Sequence, residues 1–140
     1  MRIEVSGVWD LIHAGHVRLF RRVRELAPPG EDVTLIVGVH SDEAVSTYKR
    51  LPVIPHAQRV EMVSACRYVD EVVPEAPLVV TQEYLSRHMI DMVVHAHAED
   101  DPQYDDMYRV AMAQGKFRRL DYTSGVSTTA IIGRAAAARS

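Results

Sequence analysis

The chain has 140 residues, of which 47% are hydrophobic and 25% charged, as is typical of one globular domain and not of a disordered segment. Its 16 lysines and arginines against 19 aspartates and glutamates give a formal net charge of -3, which argues against a surface built mainly to bind nucleic acid. The single cysteine, Cys66, excludes an intramolecular disulfide, and the longest apolar run, Val33–Val39, is too short to cross a membrane. We therefore expect one cytoplasmic domain over residues 1–140, with no nucleic-acid partner and no membrane insertion.

Short β-branched runs alternate with helical patterns in the first part of the chain. Strands are predicted at Arg2–Ser6 and Val33–Val39. Between them, apolar residues recur at helical spacing after Ala14, and the arginines among them are expected to face solvent. The apolar positions are Leu19, Phe20, Val23 and Leu26, and the arginines are Arg18, Arg21, Arg22 and Arg24.

The same alternation continues to the end of the chain. Ser41 and Asp42 offer an N-cap to a short helix, and Lys49–Pro52 is predicted to open an irregular loop. Later strands are predicted at Val69–Val73, Asp91–His95 and Phe117–Asp121. Later helices are predicted at about His56–Arg67 and at Thr81–His88. A helix cap is predicted near Asp105, followed by a helix at Tyr108–Gln114 that Gly115 ends. The last helix is predicted from Ser127 onward, and one of its faces carries Ile131, Ile132, Ala135 and Ala136.

Five strands that alternate with helices define the expected fold class. The pattern predicts an α/β domain with a Rossmann-like, doubly wound sheet of about five parallel strands flanked by helices. In such sheets, ligands bind at the carboxyl ends of the strands. The loops that follow the strands are therefore the places to search for functional residues.

The most informative loop follows the first strand and runs from Gly7 to His16, with the sequence GVWDLIHAGH. His13 and His16, with Gly15 between them, can place two ring N–H donors beside backbone amides at a helix N-terminus, where the helix dipole favours negative charge. This arrangement predicts a phosphate site. A pair of core or capping histidines is the alternative for so short a pattern.

The longer pattern resembles the G-x-F-D-x-x-H-x-G-H signature of the cytidylyltransferase-like nucleotidyltransferases, with Trp9 in the aromatic position. The segment Gly125–Ile132, GVSTTAII, is similar to the G-[IV]-S-T-T-x-I-I element of the same family. Val37–Asp42, Lys49, Arg59 and Ala65–Val72 also match between the two motifs. The resemblance covers nearly all of the chain and is closest to the ethanolamine-phosphate and choline-phosphate cytidylyltransferases.

This resemblance implies transfer of CMP from CTP to a small phosphorylated or phosphonylated alcohol, with release of pyrophosphate. It also implies Mg²⁺ bound with CTP, and a homodimer. His13, His16 and Lys49 are the implied catalytic residues, with Lys49 bridging the acceptor phosphate and the α-phosphate. The implied nucleotide-binding residues are Gly7, Val8, Trp9, Asp10, Gly15, Arg59, His95, Tyr122, Gly125, Val126, Ser127, Thr128 and Thr129. For Arg59 the alternative is a side chain that faces solvent.

Two stretches depart from the family pattern. The family usually reads R-T-x-G before the S-T-T element, whereas this chain has Tyr122-Thr123-Ser124-Gly125, so a bidentate cation is missing. Substitution by Arg119 is one hypothesis. Relatives also carry an acidic pair soon after the residue equivalent to His95, where this chain has Ala96-His97-Ala98. His95 and His97 share one face of a strand, so a metal site is conceivable, although polar loop residues are the favoured interpretation.

The identity of the acceptor and of the nucleotide stays open at the level of sequence. A choline-type acceptor favours an aromatic cage, for which Trp9, Tyr104 and Tyr108 are the plausible members, and this small set weakly favours a smaller or more polar head group. An adenylyltransferase that uses ATP is the alternative enzyme. A catalytically weak nucleotide-binding module is the alternative from another class, because Tyr122 stands where the family has arginine.

Overall fold

Strands and helices alternate along the chain in a computed structural model that describes residues 1–123 and 125–139. The strands are β1 (Arg2–Gly7), β2 (Thr34–Val39), β3 (Glu71–Val73), β4 (Met92–Ala96) and β5 (Phe117–Leu120). The helices are α1 (Ala14–Arg24), α2 (Asp42–Ser46), α3 (His56–Ser64), α4 (Gln82–Arg87), α5 (Asp105–Ala113) and α6 (Thr128–Ala137), with a 3-10 turn at Pro102–Tyr104 before α5. Ser124, which belongs to the segment that departs from the family pattern, lies outside the described residues.

All five strands are parallel and lie in the order β3-β2-β1-β4-β5. The predicted Rossmann-like sheet is therefore confirmed. The strand order reverses between β1 and β4, where Glu4 lies opposite Val93 and Val5 opposite Val94. Beyond the carboxyl ends of these two strands the connections diverge to opposite sides of the sheet, which leaves a crevice.

Both faces of the sheet are covered by helices, which explains the continuous apolar runs in the central strands. Leu35, Ile36 and Val37 of β2 are all fully buried. One face packs against Phe20 and Val23 of α1 together with Val63 of α3. The other packs against residues of α4 and α5, among them Tyr84, Leu85, Tyr108 and Ala111.

Several element ends differ from the predicted ones because of contacts that are distant in sequence. The helix α3 ends at Ser64 and not at Arg67, and β3 begins only at Glu71. Before β3, the Asp70 carboxylate accepts hydrogen bonds from Leu35 N–H (2.8 Å) and from Arg24 (2.6 Å), which ties this segment to β2 and α1. The predicted helix start near Asp105 is confirmed, since α5 begins at that residue, but its N-cap, Tyr104, makes no side-chain hydrogen bond. The Asp101 side chain caps the preceding 3-10 turn, where it accepts a hydrogen bond from Gln103 N–H.

The last helix, α6, lies on the surface. None of its residues is buried: on the predicted apolar face, Ile131 and Ile132 are partly exposed, and Ala135 and Ala136 are exposed. Its first turn is docked on the loop after β1, because the Thr128 hydroxyl donates a hydrogen bond to the carbonyl oxygen of Asp10 (2.9 Å). None of the helices within the described ranges is long and apolar enough to cross a membrane.

Candidate active site

A cavity of about 540 Å³ opens beyond the carboxyl ends of β1 and β4. Its wall is formed by the loop after β1, the loop after α2, the end of β4 and the start of α6. It collects almost all of the residues that the sequence singles out, namely Gly7, Val8, Trp9, Asp10, His13, Gly15, His16, Lys49, His95, Tyr122, Val126, Ser127, Thr128 and Thr129. Of the predicted set, Arg59 and Gly125 do not line it.

Trp9 forms the floor of the loop after β1. Its backbone is in the left-handed region (φ 55°), and its indole N–H donates a hydrogen bond to the Gly38 carbonyl oxygen (2.8 Å). The ring packs against Phe20 and lies edge-on to His16, with ring centroids 4.8 and 5.5 Å apart. A Cβ at Gly7 would lie only 2.9 Å from the indole, so glycine is required there. Trp9 therefore supports the site from below.

Asp10 acts as the anchor of the opposite wall. Its buried carboxylate accepts hydrogen bonds from the N–H groups of Val53 and Ile54 (both 2.9 Å) and from Arg50 (3.1 Å). Burial alone would raise the pKa of Asp10, but these hydrogen bonds and the charge of Arg50 outweigh it and hold the pKa below its ordinary value. The Asp10 side chain therefore fastens the loop that carries Lys49, and its oxygens are used within the protein.

His13 and His16 form a capping box at the start of α1. The Nδ1 atom of His13 accepts a hydrogen bond from Gly15 N–H (3.0 Å), and the Nδ1 atom of His16 accepts one from His13 N–H (3.2 Å). The rings stack with centroids 3.8 Å apart. Because both Nδ1 atoms are acceptors, each neutral ring carries its proton on Nε2.

Both histidines of the capping box are neutral at physiological pH. Burial, with a smaller contribution from His13, lowers the pKa of His16 to about 4, and burial also lowers the pKa of His13. The cavity therefore receives two uncharged Nε2–H donors beside the N-terminus of α1. The capping interpretation of the motif is confirmed, and the predicted phosphate site is compatible with it, because the capping bonds use Nδ1 and not Nε2.

The N-terminus of α6 meets that of α1 at the same cavity. Ser127 is the N-cap of α6 and accepts a hydrogen bond from Ala130 N–H (3.0 Å). The helices approach closely at Gly15, where a Cβ would lie 3.3 Å from the Cβ of Val126. Gly125 supplies the left-handed turn (φ 79°) that leads into the N-cap. Two helix N-termini and the hydroxyl side chains of α6 thus surround one space, a setting that favours anions.

Lys49 and Arg50 provide the cations of the cavity wall. Lys49 is exposed at the rim, with its Nζ atom 5.3 Å from the ring centroid of Tyr48. Partial desolvation and the charge of Arg50 lower the pKa of Lys49. Arg50 was not predicted from the sequence as a residue of the site. Its position next to Lys49 in the chain was the one available signal, and its pairing with Asp10 appears only in the structure.

Arg59 requires a correction, because it neither contacts the cavity nor faces solvent. Its side chain is fully buried. The guanidinium donates hydrogen bonds to four oxygens, namely the carbonyls of Ile54 (3.0 Å), Val8 (2.7 Å) and His40 (2.8 Å) and the Asp42 carboxylate (2.7 Å). Arg59 thus ties α3 to the loops after β1 and β2. The position of Arg59 on a predicted helix does not predict this role, since its hydrogen-bond acceptors come from three different segments of the chain.

The position of the missing family arginine is filled by an exposed tyrosine. Tyr122 lines the cavity with 63% of its surface exposed. Arg119 lies outside the cavity wall and donates instead to the carbonyl oxygen of His97 (2.8 Å) and to the Asp121 carboxylate (2.7 Å). The structure therefore gives no support to Arg119 as the substitute. Among the described residues, Arg50 is the one arginine that lines the cavity.

At the end of β4, His95 and His97 lie side by side among aromatic rings. Their Nδ1 atoms are 2.9 Å apart, and both rings contact Tyr104 with centroids 4.6 Å apart. Tyr104 and Trp9 line the cavity, whereas Tyr108 is buried behind His95. Within residues 1–123 and 125–139, no three His, Cys, Asp or Glu side chains form a group that could hold a metal ion.

A buried acid below the cavity was also missed by the sequence analysis. Glu4 of β1 is fully buried, and one of its carboxyl oxygens accepts a hydrogen bond from the Ser6 hydroxyl (2.7 Å). Burial raises the pKa of Glu4 to about 7, against smaller opposing effects of Tyr84 and Ser6. Gly38 makes room for this pair, since a Cβ there would lie 2.3 Å from the Ser6 hydroxyl oxygen.

Comparison with known proteins places this geometry in context. The model of the Cytidylyltransferase-like family matches residues 5–134. The choline-phosphate cytidylyltransferase of Saccharomyces cerevisiae is 44% identical in an alignment of 137 positions that covers 94% of this chain and 31% of that protein. Human choline-phosphate cytidylyltransferase A is 40% identical over 139 residues, and the ethanolamine-phosphate cytidylyltransferase of Dictyostelium discoideum is 40% identical over 137; each alignment covers 96% of this chain and 36% of the relative. The chain thus spans about a third of the length of these relatives.

Solved structures share the fold at lower sequence identity. A crystal structure of the lipopolysaccharide core biosynthesis protein from Thermoplasma volcanium superposes with a TM-score of 0.69 at 16% identity, covering 89% of this chain and 98% of that one. A protein of unknown function from Archaeoglobus fulgidus superposes with a TM-score of 0.57 at 21% identity, covering 91% of this chain and 94% of that one. At these identities the likeness concerns the fold alone.

Proposed function

The chain belongs to the cytidylyltransferase-like family, and we propose that it transfers CMP from CTP to a small phosphorylated or phosphonylated alcohol, releasing pyrophosphate. The observation that carries this proposal is the convergence of anion-binding groups on one cavity. Two neutral histidine donors, two helix N-termini, Lys49 and Arg50 surround a space of about 540 Å³. Such a space is large enough for a nucleotide with a small second anion.

In the proposed reaction, a phosphate oxygen of the acceptor attacks the α-phosphorus of CTP in line. A bond forms between that oxygen and the α-phosphorus while the bond to the bridging oxygen of the β-phosphate breaks, and its electron pair leaves with pyrophosphate. The acceptor phosphate is already an anion, so no nucleophilic side chain is needed. The protein positions two anions and stabilises the charge that develops between them.

The residues of the cavity divide into two groups for this reaction. His13 and His16 donate Nε2–H groups to triphosphate oxygens, and Ser127, Thr128 and Thr129 at the start of α6 bind the β- and γ-phosphates. Lys49 bridges the acceptor phosphate and the α-phosphate, where its charge offsets the repulsion between the two anions. Arg50 adds a second cation beside Lys49 and takes over part of the charge that the family arginine supplies.

Mg²⁺ is proposed as part of the substrate, bound with CTP through phosphate oxygens and water. Among the described residues, Asp10 is the one acidic side chain that lines the cavity, and its carboxylate is held by Val53, Ile54 and Arg50. The donor set therefore fits an ion that arrives on the triphosphate better than an ion bound in a protein cage.

Ethanolamine phosphate and choline phosphate are the first acceptors to consider, because relatives named for both are about equally similar to this chain. Trp9 and Tyr104 are the two members of the predicted aromatic set that line the cavity. Trp9 is 5% exposed, so a complete cage for a quaternary ammonium is not formed by these rings. This favours the smaller, primary ammonium of ethanolamine phosphate.

We also propose a cytoplasmic location and a symmetric homodimer. A chain with one cysteine suits a reducing compartment, and two-fold dimers are the commonest assemblies of enzymes of this size. Light scattering of the purified protein tests the dimer directly, with a mass of twice the chain as the expected result and a monomer as the contrary one.

The test of the reaction is pyrophosphate release by the purified protein with Mg²⁺. CTP and ATP are each combined with ethanolamine phosphate, choline phosphate, glycerol 3-phosphate and 2-hydroxyethylphosphonate. We expect turnover with CTP and ethanolamine phosphate. Turnover with ATP alone would identify an adenylyltransferase, and a rise in unfolding temperature with CTP but no pyrophosphate from any pair would identify a nucleotide-binding module.

A further inference from the structure

His95 and His97 form a ring pair that the proposed reaction does not by itself require. His95 lies in β4 and His97 follows the last residue of that strand, two positions further on, so that the two rings lie on the same side of the chain. The Nδ1 atoms of the two rings are 2.9 Å apart, which is a hydrogen-bond distance. His95 lines the cavity, whereas His97 is 4% exposed and lies behind it.

The distance between the Nδ1 atoms couples the proton positions of the two rings. A hydrogen bond between two nitrogens needs one N–H and one lone pair, so one of the two Nδ1 atoms carries a proton and the other does not. When both rings are neutral, the ring that accepts at Nδ1 must carry its own proton on Nε2. The tautomer of His97 therefore decides whether His95 presents a donor or an acceptor at Nε2.

Both rings are held in place and kept neutral by their surroundings. His97 donates its backbone N–H to Leu120 (3.2 Å) and accepts from Arg119 at its carbonyl (2.8 Å), while Tyr104 and Phe117 contact its ring. Burial, followed by the influence of His97 and Lys49, lowers the pKa of His95 to about 3. Burial also lowers the pKa of His97. The pair consequently acts through its tautomers and not through a charge.

The charges around the cavity select between the two tautomers. Lys49 is close enough to influence His95, and the carboxylate of Asp10 is occupied by its own three hydrogen bonds. This side of the cavity therefore attracts an anion. A bare Nε2 atom would repel an anionic oxygen, whereas an Nε2–H group would donate a hydrogen bond to it.

We propose that His97 is a positioning residue that donates its Nδ1–H to Nδ1 of His95, so that His95 offers Nε2–H to the phosphate of the alcohol substrate. This inference rests on the proposed function, because it identifies the anion beside Lys49 as the acceptor phosphate. His95 then contacts substrate, and His97 acts through His95. Among the described residues, this is the one hydrogen bond of the His95 ring, which leaves Nε2 for the ligand.

Kinetics of matched variants test the role of His97. His97→Leu removes the donor, and His97→Asn keeps an amide N–H near the position of Nδ1. We expect His97→Leu to raise the KM for ethanolamine phosphate about tenfold or more, the loss of one hydrogen bond to a charged group, with little change in the KM for CTP. His97→Asn should recover most of that loss. Equal effects of both variants, or equal effects on both substrates, would overturn the proposal.

A spectroscopic readout separates this inference from the reaction itself. Nitrogen-15 NMR of the histidine rings reports which ring nitrogen carries a proton. With ethanolamine phosphate or inorganic phosphate as the probe, we expect His95 protonated at Nε2 alone and His97 protonated at Nδ1. A proton on Nδ1 of His95, or no response of His95 to either probe, would overturn the inference. The expected pattern in a protein that releases no pyrophosphate would keep the inference and remove the proposed reaction.

Discussion

The individual residues of the cavity divide into those that present a group to a ligand and those that hold another residue in place. His13 and His16 do both, because Nδ1 caps α1 and Nε2 is left for the cavity. Asp10 and Trp9 hold the loop after β1. The sequence singles out all four residues. Which atom of each side chain holds the protein together and which faces the cavity follows only from the hydrogen bonds in the structure.

Removal of the His16 ring tests its role at the transition state. His16→Ala loses an Nε2–H donor, and we expect kcat to fall by about 10²–10³, the usual effect of one preorganised donor. His16→Gln, whose amide N–H reaches the same region, should recover part of the loss. Steady-state pyrophosphate release measures both variants. Wild-type activity in His16→Ala would remove the assignment of the site.

Lys49 is expected to act mainly in the transition state, where the two phosphates approach each other. Lys49→Ala should therefore lower kcat far more than it weakens CTP binding. Isothermal titration with CTP and steady-state kinetics measure the two effects separately. Lys116, which is partly exposed and does not line the cavity, provides a control, because Lys116→Ala removes the same charge at the amino end of β5. Equal losses in binding and turnover would make Lys49 a binding residue only.

Glu4 gives the protein a pH-dependent stability. Its pKa in the folded protein is raised from 4.5 to about 7, so the folded state retains the proton more strongly than the unfolded chain. This contribution is complete below pH 4.5 and is lost as pH rises through 7. The loss amounts to about 3 kcal/mol for a shift of this size.

Glu4→Gln separates this effect from all other titrations. The variant keeps an acceptor for Ser6 and cannot ionise, so its free energy of unfolding should exceed that of the wild type at pH 8 and approach it near pH 5. Urea unfolding at the two pH values gives the difference. A difference that does not change with pH would contradict the assigned pKa.

At the scale of the elements, most strands and helices could be predicted from the sequence, because apolar periodicity and N-cap residues are patterns within a few neighbouring residues. The β-branched runs of β1 and β2, the N-cap Ser41 and the start of the last helix at Ser127 were predicted from local sequence, and the structure confirms them. The early end of α3, the short β3 and the exposed surface of α6 depend on contacts across the fold, which a local pattern does not contain.

The cavity was predicted well for a related reason. Most of its predicted residues lie in the loop after β1 or at the start of α6, and parallel topology brings such positions to one edge of the sheet. The prediction that Arg59 contacts a phosphate was wrong, because its four hydrogen-bond acceptors come from three separate segments of the chain that only the fold brings together. The roles of Arg50 and Glu4 likewise depend on partners that only the folded chain brings together.

Arg59 links α3 to the loops after β1 and β2 through four hydrogen bonds. Arg59→Met keeps much of the side-chain volume but leaves three carbonyl oxygens and Asp42 without their donor. We expect the free energy of unfolding to fall by about 3 kcal/mol, as for other buried charged groups that lose a partner. Arg67→Met, at an exposed position just after α3, is the matched control. Urea unfolding measures the free energy of unfolding of both variants. Similar values for Arg59→Met and Arg67→Met would contradict the assigned role of Arg59.

For the molecule as a whole, the local distribution of charge explains anion binding better than the net charge does. The net charge of the chain is -3, yet the cavity is lined by Lys49 and Arg50 against one carboxylate, Asp10, which pairs with Arg50 and leaves the charge of Lys49 in excess. A mildly acidic protein thus offers a local site for anions. The Rossmann-like topology explains where that site lies, and the family membership explains which groups line it.

The central claim is that the acceptor phosphate itself attacks CTP in this cavity. Ethanolamine phosphate labelled with oxygen-18 in its phosphate, incubated with CTP, Mg²⁺ and the protein, tests it by phosphorus-31 NMR and mass spectrometry. We predict CDP-ethanolamine with the label in the bridge between its two phosphorus atoms, and an equal amount of unlabelled pyrophosphate. Label in the pyrophosphate, or CTP consumed without a linked product, would contradict the account.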